Sequence, residues 1–363
     1  MTALVVELTA IESPSAHAAG VEAVARRLER ELAALGLTVE LLPVSGAGPI
    51  LVARSPASAA AGPVLLLGHM DTVWPLETLA RRPLRTDGDR LFGPGALDMK
   101  GGLAVIVFAL RLLAEKGTLP AATVFLTPLE ETGCEPYRER LLEQMRSARA
   151  VLCFENAWPG GAVKTERKGV ASLTLSARGR AAHAGSEFFE GANAITALAE
   201  ICLQAARLTD RERGITVNVG TFSGGVHPNV VPDFAQASLD VRFRTVEDGE
   251  RTARAIASAA CADPRVLLEI ARQGFYPPME RTAEVARLFS LATQVAEEMG
   301  LSLSESATGG ASEASFAAAM GIPTLDGLGP DGAGEHAADE HVLLSSLAER
   351  AALAARLVEI LSA

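Results

Sequence analysis

Pro63-Val-Leu-Leu-Leu-Gly-His-Met-Asp-Thr72 is an apolar run that stops on a glycine and then presents two polar side chains. Four consecutive branched apolar residues without polar alternation describe a strand buried on both faces, as in a parallel sheet. Such a strand delivers its polar groups at the carboxyl end. His69 and Asp71 are two apart, so on extended backbone they face the same side, and the carboxylate can orient the imidazole. Taken alone, the short motif is equally well explained by a strand-end turn with a satisfied histidine.

Outward from this strand the chain alternates. Val21, Val24, Leu28, Leu32 and Leu35 recur at helical spacing, and Gly36 closes that pattern. Apolar runs at 37–43 and 50–54 follow. Beyond the strand, a Gly/Pro/Asp-rich stretch at 83–102 precedes a helix at 102–116, a strand at 122–127, a helix near 136–146 and a strand at 150–154. The alternation predicts an α/β sheet with ligands at the carboxyl ends of its strands. Near residue 165 the pattern becomes half-buried strands at 169–178, 214–221, 234–243 and 265–271, with helices at 191–208 and 247–260. This stretch of about 110 residues has the size of a compact inserted domain. Helices at 281–299 and 343–361 then flank a glycine-rich segment at 308–334, so the end of the chain is expected to pack on its beginning. The expected layout is one domain from 1–165 and 277–363, with an insert at 166–276.

Composition bounds the function. The chain has 363 residues, 48% hydrophobic and 21% charged, with a formal charge of -11, which describes a core-forming protein. Aromatics are only 4% and no basic patch dominates, so nucleic acid is an unfavourable partner. The longest apolar run, 103–110, falls far short of the roughly 18 residues of a membrane span. Cys134, Cys153, Cys202 and Cys261 match neither a zinc knuckle nor a redox pair and read as reduced thiols. The N-terminal residues lack a basic region and meet Glu7 and Glu12 early, unlike a signal peptide, so the expected location is cytoplasmic.

The remaining chemistry lies at strand ends. Asp98 sits in Gly93-Pro-Gly-Ala-Leu-Asp-Met-Lys-Gly-Gly102 ahead of an apolar helix, where it could also be an ordinary helix-start aspartate. Glu130 and Glu131 follow one strand, and Glu155 follows the next. Adjacent carboxylates repel unless a cation or a proton lies between them, although a solvated loop would also hold them. His336 lies in Gly334-Glu-His-Ala-Ala-Asp-Glu340, within a loop expected to be too glycine-rich for core. Two imidazoles with several carboxylates are the donors of a paired hydrolytic metal site, with ions about 3.5–4 Å apart.

Together these segments closely resemble the M20 family of metallopeptidases, especially its glutamate carboxypeptidase branch, with acetylornithine deacetylase and succinyl-diaminopimelate desuccinylase as relatives. The motifs run in family order from residue 68 to 341. The resemblance implies a zinc-peptidase-like catalytic domain with a central mixed sheet flanked by helices, and an inserted α+β, ferredoxin-like lid or dimerisation domain. It implies that His69, Asp98 and Glu155 hold one zinc and that Asp98, Glu131 and His336 hold the other, with Asp98 bridging and manganese or cobalt as possible substitutes. Glu130 matches the general base and Asp71 the residue that holds His69; the residues by themselves do not separate Glu130 from Glu131 as base. The family also has a cis peptide after the bridging aspartate, here Asp98-Met99.

In the insert, His183 of Gly179-Arg-Ala-Ala-His-Ala-Gly185 matches the histidine that reaches the oxyanion, in some relatives from the partner subunit. Asn229, in His227-Pro-Asn-Val-Val-Pro232, matches a substrate-touching asparagine. Arg242 aligns with an arginine that can clamp a carboxylate bidentately, and Arg272 is a second candidate. Gly310 belongs to Gly309-Gly-Ala-Ser-Glu-Ala314, where Glu313 replaces the family's more usual aspartate. Glu155 and His69-Met-Asp-Thr-Val-Trp74 lean towards the carboxypeptidase branch. The expected protein is therefore a homodimeric dizinc hydrolase that cleaves an amide next to a free carboxylate in an N-acyl amino acid or short peptide. Deacylation of ornithine-like or diaminopimelate-like substrates is the alternative, and a non-catalytic binding protein on the same scaffold is a further one.

Overall fold

The structure, a computed structural model, describes residues 1–117 and 119–363. Its contacts divide the chain into two compact units. The first comprises Met1–Glu166, Arg281–Ala307 and Ser312–Ala363, and the second Arg167–Glu280 with Thr308–Ala311. The second unit is thus longer than the 166–276 read from the sequence, and the segment containing Gly310 goes with it.

The first unit is built on a six-stranded mixed sheet. In spatial order its strands are Thr38–Leu42, Ile50–Arg54, Ala122–Thr127, Val64–His69, Ala150–Cys153 and Thr324–Leu325. The first three are joined by antiparallel pairings, and the remaining pairings are parallel. Val64–His69 is buried at every residue because it has a parallel neighbour on each edge and helices pack on the sheet. Its register pairs His69 with Thr127 and Leu67 with Cys153, so three strands end together. That common edge is where the polar residues following each strand emerge.

The helix Gly101–Glu115 buries Leu103, Val107 and Leu110, and the C-terminal helix Leu344–Ser362 packs along it. A glycine at 102 is required by close approach, since a Cβ there would lie 2.0 Å from the Phe154 carbonyl oxygen. A four-stranded antiparallel sheet, Gly332–Ala333, His341–Leu343, Arg90–Phe92 and Arg85–Asp87 in order, went unread in the sequence. Strands of two or three residues carry no measurable period. Residues Asp326–Pro330 are buried, contrary to the expectation that the glycine-rich loop stands clear of the core. Glycine permits that burial: Gly329 donates to the Glu155 carbonyl (2.9 Å), and a Cβ on it would sit 2.5 Å from the Phe154 oxygen.

The second unit runs β-α-β-β-α-β through Gly169–Arg178, Ala194–Ala206, Thr216–Gly224, Phe234–Phe243, Val246–Ala257 and Leu267–Tyr276. Its antiparallel sheet places the fourth strand beside the first, then the third, then the second, which is the ferredoxin-like arrangement. Inward residues alternate along the strands, and Leu175, Leu239 and Phe243 pack with Leu198 and Ile201 of the first helix. Asn193 and Thr245 cap the two helices through the amides of Thr196 and Asp248. Among the described residues, no helix is long and apolar enough to cross a membrane, and the four cysteines are unbridged.

Candidate metal centre

The end of Val64–His69 turns His69 and Asp71 into the first unit, both about 1% exposed. His69 Nδ1 lies 3.1 Å from the Asp71 carbonyl and 3.3 Å from its carboxylate. Asp71 is held in turn by the Ser15 hydroxyl (2.6 Å) and the backbone amides of Glu130 (3.1 Å) and Glu131 (3.3 Å). One carboxylate thus organises the ends of two adjacent strands and a segment near the N-terminus.

The other ring nitrogen, Nε2 of His69, is 3.0 Å from Asp98 Oδ1 and 3.6 Å from Glu155 Oε1. The opposite oxygen, Asp98 Oδ2, lies 3.1 Å from His336 Nε2, which is itself 3.4 Å from Glu131 Oε2. Asp98 therefore stands between two imidazoles, one oxygen to each, with Glu155 on one side and Glu131 on the other. The five residues proposed from the sequence as ligands converge, and Glu130 joins His69 and Glu155 in a further group of possible donors. Asp98 is followed by a cis peptide bond to Met99.

The electrostatics are those of acidic groups crowded out of water. Burial, with Glu155 nearby, drives the Glu130 carboxyl well above the usual range. Burial also raises Glu131, against the bond from His336. Burial works against the Asp98 charge, yet His336 and His69 hold it below its ordinary value. His336 is pushed up to about 11 by Asp98 and Glu131, and His69 is raised by Asp71 and Asp98 against its burial. Glu131 Oε1 is buried without a hydrogen-bond partner. A carboxylate oxygen left in that condition is costly unless something positive meets it.

The second unit holds the other expected residues. His183 is exposed, and its Nδ1 accepts from the amides of Gly185 and Ser186, each at 3.1 Å. That fixes the ring through Nδ1, and among the described residues no hydrogen bond engages Nε2. Arg242 Nε and Nη2 donate to Asp240 (2.8 and 3.0 Å), and Nη1 donates to the Gly309 carbonyl (3.3 Å). Asn229 is exposed, and its backbone carbonyl accepts from the Ala184 amide near His183. Arg272 pairs with Glu250 at 2.8 Å and lies over the Phe275 ring, which accounts for it structurally.

Residues 65–360 match the profile of peptidase family M20/M25/M40. The chain belongs to that family. It is 31% identical to carboxypeptidase G2 of Pseudomonas sp. (strain RS-16), over 98% of this chain and 88% of the relative. Among solved structures it resembles aminopeptidase PepT from Bacillus cereus, with a TM-score of 0.78, 24% identity and coverage of 100% and 98%. It also resembles Bacillus subtilis YXEP, described as a dinuclear metal-binding peptidase of the M20 family, with a TM-score of 0.70, 17% identity and coverage of 99% and 96%. This M20 protein is accordingly a hydrolase of the metallopeptidase and amidohydrolase class.

Some residues around the centre were given no role in the sequence reading of this M20 chain. Ser15 gave no signal beyond being a serine after proline. Glu335 groups with Asp98 and His336 as a possible donor, and accepts from Asn156 Nδ2 at 3.0 Å. Glu313, noted in the sequence only as replacing an aspartate, is buried. It accepts from the Thr127 hydroxyl (2.9 Å) and the Tyr137 hydroxyl (2.6 Å), and burial pushes its carboxyl up to about 7. Glu340, visible in the motif but given no role, accepts from four N–H groups around Asp98.

Proposed function

We propose that this chain is a dinuclear metal-dependent carboxypeptidase of the glutamate carboxypeptidase type, cleaving an amide next to a free carboxylate. The observation that carries the reading is Asp98, with one oxygen on the His69 ring and the other on the His336 ring. Two imidazoles and the carboxylates Asp98, Glu131 and Glu155, one of whose oxygens is buried without a partner, fit a pair of divalent cations of the zinc, manganese or cobalt kind. His69, Asp98 and Glu155 would hold one ion, and Asp98, Glu131 and His336 the other. Bound there, the ions would supply Lewis-acid polarisation of the scissile carbonyl and a lowered water pKa.

The chain's own residues do the rest. Glu130, beside Glu131 but outside the pairs that His336 makes, takes a proton from the attacking water and returns it to the leaving amine. Asp71 keeps His69 Nδ1 engaged, so that Nε2 is the nitrogen offered. His183 is the donor for the developing oxyanion, and its bound Nδ1 supports Nε2 as the working atom. Arg242 is the carboxylate clamp. Three of its N–H groups are already used, which preorganises the fork and leaves N–H donors on Nη1 and Nη2 for substrate. Asn229 and Gly310 would line the same substrate, whereas Arg272, committed to Glu250 and Phe275, is left out of the clamp. The ferredoxin-like unit would act as lid and dimerisation surface, its edge strand Thr216–Gly224 being largely exposed.

The test is hydrolysis of a panel of N-acyl amino acids and dipeptides by protein loaded with zinc, manganese or cobalt. Preference for substrates ending in glutamate supports the carboxypeptidase reading. Preference for acylated ornithine or diaminopimelate would replace it with the deacylase reading, and no turnover by the fully loaded protein would leave a binding protein.

A further inference from the structure

Glu340 ends the loop that carries His336, and its side chain is almost completely buried, at 3% exposure for the residue. Its carboxylate accepts four N–H groups. Oε2 takes the Trp74 indole (2.6 Å) and the Gly95 amide (2.8 Å), while Oε1 takes the amides of Leu97 (3.0 Å) and Asp98 (3.1 Å). None of these donors belongs to the loop that contains Glu340. Trp74 follows the His69–Asp71 turn, and the other three are the backbone that presents Asp98. A carboxylate has about four lone-pair directions, so Glu340 has none to spare for a cation. It is not a ligand.

The register of the small sheet sets where this carboxylate falls. His341 pairs with Phe92, and the Gly93 amide donates to the Glu340 carbonyl at 3.2 Å. Glu340 is therefore fixed beneath residues 95–98 by its backbone as well as by its side chain. We propose that Glu340 is a positioning residue that locks the Asp98 segment to the His336 loop and so presets the bridging carboxylate and its second imidazole for metal. The proposal rests on the dinuclear reading above. Charge-assisted bonds to convergent backbone amides suit this task, because they fix the position of the peptide units themselves and not merely of a side chain.

Glu340→Gln tests it on the full chain stripped of metal. The amide would turn an NH2 towards N–H donors, so bonds are lost and donors face each other. Zinc binding is measured by competition with a chromophoric chelator, and folding by circular dichroism. The folded variant should bind one or both ions about 10–100-fold more weakly than wild type, the range for lost outer partners of ligands. Trp74→Phe, which removes one donor and keeps the ring, should give a smaller but measurable loss, and it decides the matter if Glu340→Gln does not fold. Leu198→Ala, in the core of the other unit, should lower stability and leave zinc affinity unchanged, separating positioning from general destabilisation. Wild-type zinc affinity in Trp74→Phe and in any folded Glu340→Gln would overturn the lock. Wild-type protein that takes up no second ion would instead overturn the dinuclear reading itself.

Discussion

At the scale of single residues, the centre combines groups that oppose one another in water. Burial and the nearby Glu155 push the Glu130 carboxyl well above its ordinary range, whereas two imidazoles hold Asp98 below its own against burial. Environments that push carboxyl groups apart in this way divide them between base and ligand roles. Replacing Glu130 with Gln should therefore leave two ions per chain, measured by elemental analysis, and cut kcat by about 10²–10⁴-fold. Substantial turnover in the fully loaded variant would remove Glu130 as base. His183→Ala should lower kcat by about 10²–10³-fold without changing metal content, the usual size of a lost oxyanion donor; unchanged kinetics would take it out of the reaction. Glu130 and His183 could be nominated from the sequence because each sits in a short motif of unusual chemistry. Ser15 was not, since its bond to Asp71 spans 56 positions and nothing nearby in the sequence marks it.

At the scale of elements, the site depends on three parallel strands ending together and on a helix pressed against the third. Gly102 begins that contact. Gly102→Ala would drive a methyl group into the Phe154 carbonyl, immediately before Glu155, and force the helix or the strand to move. Overpacking of this kind costs about 1–3 kcal/mol, which denaturant unfolding would measure, and the displaced Glu155 should weaken metal uptake in the same variant. Wild-type stability and affinity would show that the helix absorbs the methyl without moving the strand. The long elements were readable from period and length: the strand at 122–127 is found at Ala122–Thr127, and the helix at 136–146 at Arg138–Arg146. The short sheet joining Arg90–Phe92 to His341–Leu343 was not. Its partners are about 250 residues apart, and such pairing arises from tertiary packing, with no local propensity to announce it.

At the scale of the whole molecule, a cluster of buried carboxylates is a liability until cations neutralise it. Chelation should lower the thermal midpoint, and readdition of zinc should restore it. At free metal 1,000 times the dissociation constant, a bound ion contributes about 4 kcal/mol of stability per site. A midpoint indifferent to chelator would mean that no ion binds the native state preferentially. The exposed edge strand of the ferredoxin-like unit, with Phe189 at 88% exposure and Val226 at 81% on the same unit, leads us to expect a dimer in solution by light scattering. A monomer at micromolar concentration would rule out that edge as a dimer interface.

The sequence by itself determined the strand-and-helix alternation, the insertion of one unit within another, and the chemistry gathered at strand ends, because period, glycine placement and short polar motifs are local properties of the chain. Only the tertiary structure decided which oxygen of Asp98 meets which imidazole, that Ser15 and two amides hold Asp71, that Asp326–Pro330 is buried, and that Glu340 faces four donors from elsewhere in the chain. Those relations depend on strand register and on distances across hundreds of residues. A shift of one residue in the small sheet would carry Glu340 away from the Asp98 segment while leaving every motif in the sequence intact.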